Sequence, residues 1–473
     1  MSYRGIVCGV VAWVAMLTAS LLTTAAHAKD PDAGDPKGRD SILDWNAVAL
    51  AAVAEDHSGT FGTPDQGGPT RSSRALAIIH VAMFDAANCV VPTADPYLTS
   101  HPDTGASLDA AVASAAAETL TALYPKQSRV FSLALQRYLT PIKSVPAKQK
   151  GLAVGHEVAF KLLKARSHDG SDNPSSYKPS GLPGTHDVDP LNPLQGFLGP
   201  AWGQVTPFAL YRQFHFVPRL PPKLNSAEYA AALHDVERLG GDGHITPTDR
   251  SVEQTEIGLY WAYDGAKRLG TPMRLFNQIV RKIALLEHNT ELENARLFAL
   301  VNLAQADAKI FCWGIKYEDI LWRPILGIRR ADEDGNLDTV ADRHWTPLGA
   351  PLSNRIGNNF TPNFPSYTSG HATCAGAVFR VLERFYGTDD ISFTFVSDEL
   401  NGITTDSQGH VRPLRPRTFH SFSQAAAECG RSRIYLGIHW QFDCDEGERC
   451  GYAVADHVFD TLLRPRHHCC CHD

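Results

Sequence analysis

Four things are scarce in this chain of 473 residues. Stretches with the period-2 alternation of a half-buried strand are few and short, which argues against a sheet-based fold. No internal repeat is visible, which sets aside repeat architectures. After residue 28 no stretch reads as apolar enough to cross a bilayer, so no integral membrane segment is expected in the mature chain. Positive charge is in deficit. The formal net charge of -7 argues against a nucleic-acid partner. What is present is an ordinary supply of hydrophobic residues, 43%, enough for a substantial core.

The first 28 residues read as a secretory signal: Arg4, then an uncharged apolar run from Gly5 to Leu22, then Ala26-His27-Ala28 as a small-x-small cleavage site. An uncleaved anchor is the rival reading, because the run approaches bilayer length. A signal implies a secreted or periplasmic protein. Cys8 lies too early in the run to mark a lipoprotein. Residues 29–40 are polar and read as a disordered linker.

Helical spacing then dominates. Ser41 to about Arg166 reads as short-loop helices, with an apolar stripe at Ala77, Val81 and Phe84 inside Ser73–Asn88. Leu108–Leu123, Pro125–Leu139 and Ala147–Lys164 continue the pattern. Residues 170–222 are rich in Pro, Gly, Ser and Asp and read as a long wrapping connection, tied down by Phe197, Trp202, Phe208 and Phe214. Helices resume at Asn225, and Thr246–Ile315 is mostly helical with a break near Gly270. The expected fold is all-α, two helical bundles: residues 41–240 form the first, and 241–466 form the second. The second carries the chemistry.

Nine cysteines remain after residue 28. Export permits disulfides, and Cys444 and Cys450 could close a small loop. Cys89, Cys312, Cys374 and Cys429 read as buried thiols. The tail 467–473 packs three Cys and three His; it suits a soft metal or is simply a frayed end.

Three stretches concentrate function: KYEDILWRP (Lys316–Pro324), PSYTSGH (Pro365–His371) and SRIYLGIHWQFD (Ser432–Asp443). Lys316 and Arg323, seven apart, would share a helix face, with Pro324 ending or kinking that helix. Ser369-Gly370-His371 opens an apolar-periodic helix that stops at Gly387, and such an N-terminus is an anion site. Arg433 and His439 are six apart, which a straight helix would not align, so Arg433 precedes the helix or Gly437 loosens the turn. His439 and Asp443, four apart, let a carboxylate hold one imidazole nitrogen as N–H. Cations gathered in an interior need an anion with several oxygens.

Lys-x6-Arg-Pro, Pro-Ser-x-x-Ser-Gly-His and Ser-Arg-x5-His-x3-Asp together resemble the signature shared by the vanadium-dependent haloperoxidases and the related phosphatidic acid phosphatase type 2 enzymes. TRSSRALAIIHVAMFDAAN, WGQVTPFAL and SAEYAAALHDVERLG are similar to segments of bacterial haloperoxidase-like proteins. The resemblance implies that Lys316, Arg323, Ser369, Gly370 and Arg433 hold the oxygens of one vanadate per chain. It implies that His439 ligates the metal, supported by Asp443, and that His371 is the acid–base group. Trp313 and Phe364 look like the aromatics that flank the halide site. The implied reaction is oxidation of halide by hydrogen peroxide to hypohalous acid, which passes to an organic acceptor. The alternative is an acid phosphatase in which His439 becomes a phosphohistidine. A plain oxyanion-binding protein would not need both histidines. A homo-oligomer is compatible with all of these.

Overall fold

The protein is described here by a computed structural model that covers residues 39–99, 101–211 and 216–466. The expected signal at 1–28, most of the linker, Phe214 and the Cys/His tail lie outside the described residues.

Helix α1 (Ser41–Asp56) begins where Asp40 accepts a hydrogen bond from the Leu43 N–H at 2.9 Å. That satisfies one of the free donors of a first turn. Helix α2 (Gly68–Val90) follows, with Pro69 in its first turn. Serine caps open α3 (Leu108–Leu123) at Ser107, and α5 (Val145–Arg166) at Ser144, with α4 (Ser128–Leu139) between them. The expected helix at Pro125–Leu139 is divided: Pro125–Gln127 is a 3-10 turn that leads into α4.

Ser226 caps α6 (Ala227–Gly240). Capping boxes, Ser251 with Gln254 and Thr290 with Glu293, open α7 (Val252–Tyr260) and, after α8 (Pro272–Leu286), α9 (Glu291–Asp319). Then come α10 (Pro324–Arg329) and α11 (Gly370–Tyr386). A short antiparallel ribbon pairs β1 (Phe393–Asn401) with β2 (Leu414–Phe419), placing Phe393 opposite Phe419. Helices α12 (Phe422–Tyr435) and α13 (Gln441–Thr461) close the fold. Among the described residues this ribbon is the only sheet, and the molecule is all-α as expected.

Helix α9 is the spine. It packs against α1 and α2 from the first half and against α11 and α13 from the second. The largest apolar core runs from Ile42 to Leu463, so the two bundles share it. One expectation needs correction. Gly68–Val90 is long and apolar enough to cross a membrane by length and composition, with a mean hydropathy of 1.2. That window is 94% buried inside the protein, and its apolar character is that of a core helix.

The described part of the 170–222 connection holds one 3-10 turn, Trp202–Gln204. Its backbone ties the loops of the second half: Leu198 N–H donates to the Asn363 carbonyl at 3.0 Å, and Trp322 N–H donates to Gly184 at 2.9 Å. Trp202 and Phe208 are buried, as expected of anchors, and Phe197 is partly so.

The Cys444–Cys450 loop does not exist. Both residues lie on α13 and are buried free thiols. Six residues of helix separate two Cα atoms by about 9 Å, beyond the roughly 7 Å limit of a disulfide. Cys89, Cys312, Cys374 and Cys429 are buried and free, as expected.

Candidate active site

Helix α9 presents Lys309, Trp313 and Lys316 at positions i, i+4 and i+7 of one face, and all three are buried. The helix ends earlier than the motif suggested. Ile320 takes a left-handed conformation (φ 45°) that closes it, and Arg323 becomes the N-cap residue of α10. Pro324 therefore opens a helix. A proline lacks only an N–H that would have had no acceptor at that position. Lys316 and Arg323 thus meet across a turn rather than along one helix.

The Lys316 ammonium donates to the carbonyls of Pro365, Ser366 and Thr368 at 2.8, 2.9 and 2.5 Å. It therefore clamps the loop that delivers Ser369. Burial pushes it down to about 7. Arg323 donates through Nε to the Phe364 carbonyl at 2.9 Å, and through Nη1 to Ile438 at 2.7 Å and to His439 Nε2 at 2.9 Å. Burial lowers Arg323 to about 10, which leaves it charged at neutral pH.

Ser369 caps α11, which opens where expected, and its own N–H donates to the Asp443 carbonyl at 2.8 Å. Gly370 and His371 fill the first turn, where backbone N–H groups lack helical acceptors. Gly387, with φ 73°, ends α11. Arg433 lies in the last turn of α12, and Gly437 (φ 71°) turns the chain so that His439 arrives two residues before α13. Only a glycine fits there: an added Cβ would stand 2.5 Å from the Gly240 carbonyl oxygen.

The His439–Asp443 expectation holds, with Nδ1 and Oδ2 2.8 Å apart. Ser366 Oγ and the Trp440 N–H donate to the same carboxylate oxygen at 2.5 and 3.2 Å. The imidazole proton therefore belongs on Nδ1, leaving the Nε2 lone pair to accept from Arg323. His371 is held oppositely: its Nε2 donates to the Ala262 carbonyl at 2.7 Å, which frees Nδ1. Burial, aided by nearby cations, holds both imidazoles well below the usual histidine range. Burial raises the Asp443 carboxyl to about 6.

These groups border a cavity of about 180 Å³, lined by His371, His439, Arg433, Gly370, Trp313 and Phe364 among others. Lys316, Arg323 and Ser369 stand directly behind that lining. Trp313 and Phe364 lie ring to ring at 4.8 Å, and Gly68, Pro69, Leu198 and Pro362 extend the apolar wall. Arg323 Nη2 and Arg433 Nε and Nη1 are buried without hydrogen-bond partners. Leaving such charged donors unpaired is costly. An oxyanion with several acceptor oxygens fits them, and vanadate and phosphate both have that form.

Comparison with known proteins gives a consistent assignment. Residues 33–198 match the vanadium chloroperoxidase N-terminal domain, and residues 296–467 match the second helical-bundle domain of the same enzymes. The chain is 36% identical to the vanadium chloroperoxidase of Curvularia inaequalis over 488 aligned positions, covering 85% of this chain and 78% of that one. This chain belongs to the vanadium chloroperoxidase family. Its fold also matches a bacterial vanadium-dependent iodoperoxidase (TM-score 0.71, 24% identity, 92% of this chain and 99% of the other). A holo-type bacterial vanadium-dependent chloroperoxidase aligns with a TM-score of 0.62 at 16% identity, over 87% and 96% of the two chains.

Within this haloperoxidase-family site, motif reading missed several groups. Asp264, in the loop after α7, accepts from Arg433 Nη2 with both oxygens at 2.9 Å and lies 3.9 Å from His371 Nδ1. Burial raises its carboxyl. Nothing near Asp264 in sequence signals this, because its partners lie more than a hundred residues away. Ser366 lies within PSYTSGH, but the motif by itself assigns it no role. Lys309 had a legible signal, its heptad spacing from Lys316.

Proposed function

We propose that this chain is a vanadate-dependent haloperoxidase that oxidises a halide with hydrogen peroxide to hypohalous acid. The observation that carries the reading is the group of three buried, partnerless guanidinium nitrogens of Arg323 and Arg433 beside the His439 Nε2 lone pair. Arg323, Arg433 and the backbone of Ser369-Gly370 would hold the vanadate oxygens, and Lys316 supplies positive charge from behind the loop. His439 Nε2 would be the metal ligand. Bound vanadate supplies a Lewis-acid centre at which peroxide becomes electrophilic toward halide.

Each side chain then has a task. Asp443 and Ser366 fix the His439 tautomer, so Nε2 stays unprotonated and aimed. Asp264 fixes the Arg433 guanidinium. His371, with Nε2 committed to the Ala262 carbonyl, takes and returns the peroxide proton at Nδ1. Trp313 and Phe364 form an apolar wall that strips water from an entering halide.

The test is to strip the protein of oxyanions, add orthovanadate, and follow peroxide-dependent halogenation of a phenol-type dye. Vanadate should restore turnover, and phosphate should compete for the same site. Brisk hydrolysis of an aryl phosphate with no halogenation would replace this reading with that of a phosphatase acting through His439. We further propose export from the reading of residues 1–28. Sequencing the N-terminus of the mature protein tests it, with Lys29 as the expected first residue.

A further inference from the structure

Lys309 is the ammonium that faces the cavity. It lines the cavity wall, whereas Lys316 is spent on three carbonyls behind it. Only 1% of Lys309 is exposed, so solvent does not balance its charge. It donates to the Gly370 carbonyl at 2.8 Å and contacts the Cys374 thiol, which leaves a third N–H. Three N–H donors are available on an ammonium, so Lys309 retains donor capacity on the cavity side.

Asp264 lies close enough to feel the Lys309 charge but does not pair with it directly. The carboxylate facing this part of the cavity, Asp264, is held by Arg433. The neighbouring Cys374 thiol is pushed up to about 11 by burial and stays neutral. Among the described residues no carboxylate forms an ion pair with Lys309. His371, the other titratable group beside it, is kept neutral by burial and by this same cluster of cations. A buried charge in this setting needs an anion.

The surroundings select which anion. Lys309 Nζ stands 5.2 Å from the Trp313 ring centroid. A Cβ on Gly370 would meet Lys309 Nζ at 3.0 Å and the Trp313 ring at 3.3 Å. The ammonium, the ring face and the first turn of α11 therefore converge on one corner. The Arg323 guanidinium, suited to a polyoxyanion, lies on the His439 side. A spherical, weakly hydrated anion needs one cation and a polarisable apolar surface, and it makes no directional demands.

We propose that Lys309 is the halide-positioning cation of this site, holding chloride, bromide or iodide against Trp313. The inference rests on the haloperoxidase reading for its use in turnover, but not for the binding itself. Two measurements separate the cases. In crystals soaked in sodium bromide, anomalous scattering should place bromide in contact with Lys309 Nζ in the wild type, with the peak lost in Lys309→Met. In steady-state kinetics, Lys309→Met should raise the halide KM by about tenfold or more, with a much smaller change in the vanadate dissociation constant, and Lys309→Arg should recover part of the loss.

A wild-type bromide peak elsewhere in the cavity overturns the proposal whether or not the variants fold. So does a variant that weakens vanadate more than halide. Bromide bound at Lys309 in a protein that never halogenates would leave the anion site standing and remove the haloperoxidase reading. Halogenation with a halide KM indifferent to Lys309 would do the reverse.

Discussion

At the scale of single residues, the two histidines are distinguished by which nitrogen is tied up. His439 is pinned through Nδ1 to Asp443 and His371 through Nε2 to a carbonyl. Their substitutions should therefore fail differently. His439→Ala removes the proposed ligand and should abolish tight vanadate retention, read by metal content after gel filtration. His371→Ala should keep the metal and lose about 10²–10⁴-fold in turnover, the usual range for a positioned acid–base group. The opposite pattern would exchange the two roles. Lys316 carries a second prediction. Its folded pKa is lowered to about 7, so it is charged below that pH and neutral above it. An anion held partly by this charge should bind more weakly as pH rises through 7. Vanadate titrations in wild type and Lys316→Met should show this weakening as the part of the pH dependence that the variant lacks.

At the scale of elements, α9 and the 170–222 connection decide how firmly the aromatic wall stands. Gly203 of the connection packs directly on Gly314 of α9, next to Trp313. A Cβ on Gly203 would approach the Gly314 Cα to 2.4 Å, a backbone atom with no rotamer to yield. Gly203→Ala should destabilise the protein by about 1–3 kcal/mol, the range for overpacking. Because the Trp313 indole N–H donates to the Leu198 carbonyl of the same connection at 3.3 Å, the halide KM should rise as well. Urea unfolding and halide kinetics check the two halves of that prediction. An unchanged stability would mean that the backbones separate freely at this crossing.

At the scale of the molecule, one apolar core joins both halves, and the site lies among α9, α11, α12 and α13 at its edge. Unfolding should therefore follow a single cooperative transition by far-UV and near-UV circular dichroism alike. Vanadate, which would bind only the assembled site, should raise the midpoint. At a free concentration of 100 times its dissociation constant the stabilisation should be about 2.7 kcal/mol, and it should vanish in His439→Ala. Two separated transitions, with vanadate moving only the later one, would show that the halves fold independently.

Much of this was local and therefore legible in the chain. The caps at Asp40, Ser107, Ser226 and Ser369 and the stop at Gly387 act within one turn, so neighbouring residues specify them. The Lys-Arg, Ser-Gly-His and His-Asp motifs are also short, and they named the histidines and cations that now stand together. The tertiary structure alone decided the pairings. Whether Arg433 faces a carboxylate depends on Asp264, whose placement follows from how α7 packs on α12. Whether Lys316 or Lys309 faces the cavity depends on which of them the Pro365–Thr368 carbonyls occupy. The turn at Ile320 broke the expected helix between Lys316 and Arg323, and helix geometry in α13 kept Cys444 and Cys450 apart. Sequence periodicity determines which side of a helix is apolar, but a charge buried on that side finds its partner only through the rest of the fold.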